Sequence, residues 1–193
     1  PRVLASLRSA AILGIDATPV TVEVNVSQGL PLWTIVGLAD SAVKESKERV
    51  VAALRECGFR IPSLRVLAAL SPADLRKIGN GYDLPIALGF LVATGQLRAS
   101  DVENVVAIGE LGLDGSLRPV RGALSVARMM ANRSGGTGGV LLVPPANLAE
   151  AALVRGVHIA TANSLRDLVG ALARGPLPPA LVSRDTPIPP SDL

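Results

Sequence analysis

Eight consecutive residues, Val20-Thr21-Val22-Glu23-Val24-Asn25-Val26-Ser27, constrain this chain more than any other stretch. Successive side chains of a strand point to opposite faces, so the four valines lie on one side and the four polar residues on the other. The run specifies a half-buried strand with one wet face. Residues 2–15 supply its hairpin partner, with residues 16–19 as the connection. Gln28-Gly29-Leu30-Pro31 then turns the chain into a further strand over 32–36.

The period then changes. Asp40 or Ser41 caps a helix whose apolar stripe is Val43, Val50, Leu54 and Cys57 and which Gly58 ends. Glu45 and Arg49 are spaced to pair on its solvent face. Residues 65–71 read as a short buried strand, and 75–83 as a loop broken by Gly79, Asn80 and Gly81. An apolar helix follows over 84–93, with Pro85 in its first turn and Asp83 in the capping position. A strand over 105–110 feeds a hairpin in which Asp114-Gly115 forms a two-residue turn, with Leu111, Leu113 and Leu117 alternating around it. Beyond it come a helix (123–131), a strand (140–143), a helix (148–154), a strand (157–160) and a helix over 164–173 capped by Ser164. Prolines crowd the remainder, so residues 1–174 form one domain and 175–193 a proline-rich linker or tail.

Composition narrows the class. Apolar residues make up 49% of the chain but aromatic ones only 2%, so valine, leucine, isoleucine and alanine must fill the core of a soluble, mixed α/β domain. No apolar run approaches the roughly 18 residues that span a bilayer. The apolar stretch 10–14 is also shorter than the core of a signal peptide, about 7–15 residues, and the expected location is the cytoplasm. Cys57 is the only cysteine and His158 the only histidine, which argues against an internal disulfide or a Cys/His metal site. The net charge of +3 is a weak signal for nucleic acid.

Three constellations could carry chemistry. Lys77 follows Ser71-Pro72, and a lysine of lowered pKa can activate a serine hydroxyl; a solvated loop charge or a phosphate contact is the plainer reading. The cluster Gly135-Gly136-Thr137-Gly138-Gly139 could cradle phosphate, but no Gly-Lys-Ser or Gly-Lys-Thr follows, so it reads as a flexible connection. Arg60, Arg65, Arg76, Lys77, Arg118 and Arg121 gather near turns and would meet DNA phosphates if they shared a face. Trp33, Phe59, Tyr82 and Phe90 are too few for a base-stacking platform, which leaves contact to the backbone, and ordinary solvated charge as the alternative.

Several motifs occur together in order: Ser27-Gln28-Gly29-Leu30-Pro31-Leu32-Trp33-Thr34-Ile35-Val36-Gly37-Leu38-Ala39-Asp40, Val43-Lys44-Glu45-Ser46-Lys47-Glu48-Arg49-Val50, Ser71-Pro72-Ala73-Asp74-Leu75-Arg76-Lys77, Tyr82-Asp83-Leu84-Pro85-Ile86-Ala87-Leu88-Gly89 and the hairpin 109–122. Over residues 4–174 they resemble the N-terminal domain of the Mg-chelatase-like competence proteins, the ComM/YifB family. Ala39 stands where that family often has proline, and the glycine cluster replaces a more ordinary helix end. The resemblance implies an α/β (α+β) fold with a mixed sheet packed against helices, like the Lon proteolytic domain and a ribosomal protein domain. It sets Asp83 at Lon's nucleophilic serine and Leu124 at its lysine, so peptidase activity should be absent.

The resemblance also implies a larger context: an AAA+ motor ATPase, hexameric, that drives DNA branch migration during recombination in natural transformation. ATP and magnesium would then belong to the C-terminal motor domain, this domain's partner, and no cofactor to the present chain. Arg60, Arg65, Arg76, Lys77, Arg118 and Arg121 are the candidate contacts to DNA or a neighbouring subunit. Two rival readings are a structural module that never touches DNA and a peptidase whose serine and lysine have moved elsewhere.

Overall fold

The computed structural model describes residues 3–134 and 139–180, with the side chains of residues 133 and 134 excepted. Strands β1 (Val3–Leu13) and β2 (Asp16–Ser27) form a long antiparallel hairpin. The expected connection over 16–19 tightens to residues 14 and 15, because Leu13 already pairs with Asp16. β2 carries the alternation seen in the sequence, with Val20, Val22, Val24 and Val26 all buried.

Around this hairpin the chain builds a sheet in the order β3 (Leu32–Val36), β4 (Arg65–Ser71), β2, β1, β5 (Val105–Ala107), β8 (Val140–Leu142) and β9 (His158–Ala160). β3 runs parallel to β4, which pairs antiparallel with β2. On the other side β1, β5, β8 and β9 are all mutually parallel. The mixed sheet packed against helices is the expected architecture. One correction concerns 105–110: β5 stops at Ala107, and Glu110–Leu111 (β6) forms a separate small hairpin with Leu117–Arg118 (β7).

Two apolar clusters lie on the two faces of the sheet. One face carries α2 (Ser46–Glu56), α3 (Asp83–Ala93) and α6 (Leu165–Arg174), whose Val50, Leu54, Leu88, Phe90 and Leu168 pack with the β2 valines. α3 is buried along its whole length, and its close approach has a specific cause: a Cβ at Gly89 would lie 2.6 Å from Val24 Cγ2. Trp33 of β3 stacks in a tilted geometry on Phe90 of α3, ring centres 5.0 Å apart. The opposite face carries α4 (Ala123–Ser134) and α5 (Leu148–Ala151), over the parallel strands and the start of β2, through Ala10, Ala17, Val106, Leu141, Val126 and Ile159.

Local signals explain several boundaries. Asp40 caps α1 (Ser41–Lys44) by accepting from Val43 N at 2.8 Å, and Ser164 caps α6 by accepting from Asp167 N at 3.1 Å. A break at Glu45 divides the single helix expected there into α1 and α2. Past α6, Leu177 joins the core and Ala180 N donates to Ile159 O at 2.8 Å. The glycine cluster apart from Gly139, and residues 181–193, lie outside the described residues.

Candidate cleft at the head of the buried helix

The start of α3 and the turn before α4 face each other across a cleft of ≈520 Å³. One wall is the loop 78–82 and the other is 119–121, with Ala10, Ile12, Ile108 and Val126 as an aliphatic lining. Each wall is fastened by hydrogen bonds. Asn80 Nδ2 donates to Glu110 Oε2 at 2.7 Å. Across the cleft, Asn147 closes a pair with the Val120 main chain, accepting from its N at 2.9 Å and donating to its O at 2.7 Å. Leu124 N donates to Glu150 Oε1 at 3.1 Å, which satisfies one of the orphan donors at the start of α4.

Beside the cleft, the hairpin closes more loosely than the sequence suggests. Gly112 N bonds Ser116 O and Gly115 N bonds Gly112 O, both at 2.9 Å, so the loop has three residues, Leu113, Asp114 and Gly115. Only Gly115 takes positive φ, at 82°. A Cβ there would sit 2.3 Å from Cys57 Sγ, so glycine is required by contact as well as by conformation. Cys57 is thus packing material beneath the turn, and burial pushes its thiol pKa up.

Asp83 overturns its expected role as a cap. It is the first residue of α3, fully buried, and its side chain turns away from the helix end. It accepts from Ser46 Oγ (2.5 Å), Arg49 Nε (2.7 Å), Arg49 Nη2 (3.0 Å) and Leu111 N (3.1 Å). Those four donors use the acceptor capacity of a carboxylate. Burial pushes its pKa up against the downward pull of Arg49, Ser46 and the Leu111 amide, while the Asp83 hydrogen bond raises that of Arg49. Arg49 is therefore mostly buried against Asp83, not a solvent-face residue, and its contact with Glu45 is only a 3.9 Å approach.

Lys77 is the second correction. Expected on the surface, it is fully buried, and its ammonium donates to the Pro72 carbonyl. Its main chain bonds Leu38 O at 3.1 Å and Asp40 N at 3.0 Å, pinning it under the turn after β3. Burial pulls its pKa down. It cannot reach a phosphate on the surface, and among the described residues it makes no hydrogen bond with Ser71. Leu124, at the other position of interest, is a half-buried residue in the first turn of α4.

The remaining arginines do not form one patch. Arg121 lines the cleft and Arg118 is exposed on β7 beside it. Arg76 is exposed in the loop after β4. Arg60 lies past the far end of α3, where its main chain pairs with the Gln96 amide at 2.8 and 2.9 Å. An 11-residue helix of about 1.5 Å rise per residue separates it from the cleft. Arg65 opens β4 on the uncovered sheet face, beside Asn25, Ser27, Thr34 and Leu67.

Sequence reasoning missed Ser46, Arg49, Asn80, Asn147 and Glu150. A signal existed for two of them: Ser46 and Arg49 are three apart on one helix, and a carboxylate heading a wholly apolar helix needs partners. Among the described residues no three His, Cys, Asp or Glu side chains gather as metal ligands, and no helix is long and apolar enough to cross a membrane.

Comparison with known proteins places the chain in a lineage. Residues 22–147 match a family described as subunit ChlI of Mg-chelatase. The chain is 44% identical over 151 residues to the uncharacterized protein YifB of Salmonella typhimurium, a match covering 78% of this chain and 29% of that protein. Against the uncharacterized protein Rv2897c of Mycobacterium tuberculosis it is 41% identical over 160 residues, 83% of this chain and 31% of the other. Against the competence protein ComM of Haemophilus influenzae it is 40% identical over 166 residues, 86% and 32% respectively. The chain spans less than a third of the length of each of these relatives.

Proposed function

Because the chain belongs to the Mg-chelatase-like family of YifB and ComM, we propose that it is the non-catalytic accessory domain of an AAA+ ATPase. In this reading the rest of the protein carries ATP and magnesium chemistry, assembles as a hexamer in the cytoplasm and migrates DNA branches during recombination. The present domain supports ring assembly and contacts the DNA backbone through Arg76, Arg118 and Arg121. One observation carries the non-catalytic part: where the fold's protease relatives need a serine and a lysine, this chain has an Asp83 whose acceptor sites are all taken and an alkyl Leu124. Neither can act as a nucleophile paired with a base.

The test uses the full-length protein. Replacing Arg76, Arg118 and Arg121 together by alanine should flatten the salt dependence of its DNA affinity, by about 0.9 in log–log slope for each phosphate no longer neutralised. An unchanged slope would assign the domain to packing alone. A serine-reactive fluorophosphonate should leave the domain unlabelled, and labelling that disappears with Ser71→Ala would revive the peptidase reading.

A further inference from the structure

The cleft beside α3 is also a gap in the sheet. β1 pairs with β2 along its full length, yet it meets β5 at a single register position, Arg8 with Val106. Past that point the β5 strand leaves. Ile108 N stays with β8, donating to Leu142 O, while Gly109 N turns to Gly81 O. Residues 10–13 of β1 therefore have no second strand on their outer edge, and among the described residues their main chain has no partner other than β2. An unpaired strand edge presents alternating N–H and C=O groups ready to accept another strand.

That edge lies along the cleft rather than on open surface. Ala10 and Ile12 line it, and Ile108, Val120 and Val126 add further aliphatic surface. Ile78 on the rim is 63% exposed, unusual for so large an apolar side chain. Arg121 stands at the same rim with no carboxylate partner among the described residues, and Glu110 on the opposite wall keeps its charge while accepting from Asn80. The combination is a backbone template, an apolar trough and an unpaired cation at the Arg121 end. A phosphate polymer would gain from the charge and waste the trough.

We propose that the cleft is a receptor for an extended peptide segment of alternating aliphatic and acidic residues, which adds as a strand to residues 10–13 of β1. Main-chain hydrogen bonds supply the general affinity and alternate side chains the selectivity. Aliphatic side chains fill the trough over Ile12, Ile108 and Val126, and an acidic one pairs with Arg121. This goes beyond the DNA reading and competes with it at Arg121 alone, leaving Arg76 and Arg118 to DNA.

The experiment titrates the 193-residue chain with a fluorescein-labelled peptide of sequence Ser-Val-Asp-Val-Asp-Ser, followed by anisotropy and by amide NMR shifts. Binding should move the amides of residues 10–13 and 79–81. Arg121→Glu should weaken it about tenfold, by removing the ion pair and setting like charges together, while Arg155→Glu on the exposed loop before β9 should not. A Val/Lys peptide should bind poorly to the parent and recover on Arg121→Glu. The proposal is overturned by no binding up to about 1 mM, by binding that leaves residues 10–13 unmoved, or by equal affinity for the acidic and basic peptides. A short single-stranded oligonucleotide that shifts the same amides would give the cleft to nucleic acid. Because none of this involves the full-length protein, its failure leaves the DNA salt-dependence experiment undisturbed.

Discussion

The two halves of the sheet are built to different rules. The parallel strands β5, β8 and β9, with the later part of β1, have apolar side chains buried on both faces: Val105 and Ala107 on one, Val106 and, just past β5, Ile108 on the other. Beyond the start of β2, where Ala17 packs under α4, the antiparallel strands β2 and β4, with the edge strand β3, bury one face only. On their other face Glu23 sits opposite Ala69 and Asn25 opposite Leu67, with Thr34 next across, and none of these joins either apolar cluster. Sequence period accounts for part of the difference: a strand covered on both faces reads as continuous apolar residues and one covered on a single face alternates, as β2 does. β4 departs from that rule, since the strand 65–71, expected to be buried, carries Leu67 and Ala69 on its open face.

The largest expected contrast comes from placing a charge at outward positions in each half. Val106→Lys puts an unpaired ammonium into the α4 side of the covered half and should cost about 4 kcal/mol or more, enough to prevent folding. Ala69→Lys, across from Glu23, should change stability by no more than about 0.5 kcal/mol in urea unfolding. Equal losses would mean that the second face of β2 and β4 is covered after all.

A second prediction concerns the polar pin on the face shared by both halves. Asp83→Ala strands Arg49 with little solvent around it and should cost about 3–5 kcal/mol. It should also speed hydrogen exchange at the Leu111 amide, which donates to Asp83. A loss below about 1 kcal/mol would show the pin to be idle and leave aliphatic packing to hold the head of α3 in place. Next in size is a pair of truncations. Leu141→Ala in the covered half should cost about 2–5 kcal/mol, and Leu67→Ala on the open face less than about 1 kcal/mol.

The smallest effect is a pH dependence at Lys77, at the border of the open half. Its folded pKa lies below the unfolded value, so folding disfavours the protonated form. Stability from this group rises as pH climbs through the lowered pKa toward the ordinary lysine range. Thermal unfolding of the parent against Lys77→Met should therefore show the parent gaining on the variant in alkaline buffer. A constant gap would mean that the ammonium is solvated.

These contrasts also explain what the sequence made legible. Val20 to Val26 could be placed because alternation is a local property, and Ser164 because a cap and its helix lie within one turn of each other. The helix over 84–93 was plain from its unbroken apolar run. Asp83 and Lys77 were misread because their environments are made by distant segments: Ser46 and Arg49 for one, Leu38 and Pro72 for the other. A charged residue in a loop looks solvated until the fold closes over it. The hairpin loop was misjudged by one residue, since Asp114-Gly115 satisfies two turn geometries and only the pairing of Leu111 with Leu117 decides between them. The six positive charges had no sequence signal of shared location, and the fold disperses them.

Trp33 is the only tryptophan in the chain, and it sits on β3, the outermost strand of the half covered on one side. Its contact with Phe90 makes the indole an optical gauge of one joint, the seat of that edge strand on the central helix. Far-ultraviolet dichroism averages over the whole backbone. Emission from this single ring samples the open half alone, so the order in which the two halves come apart can be timed without attaching a dye.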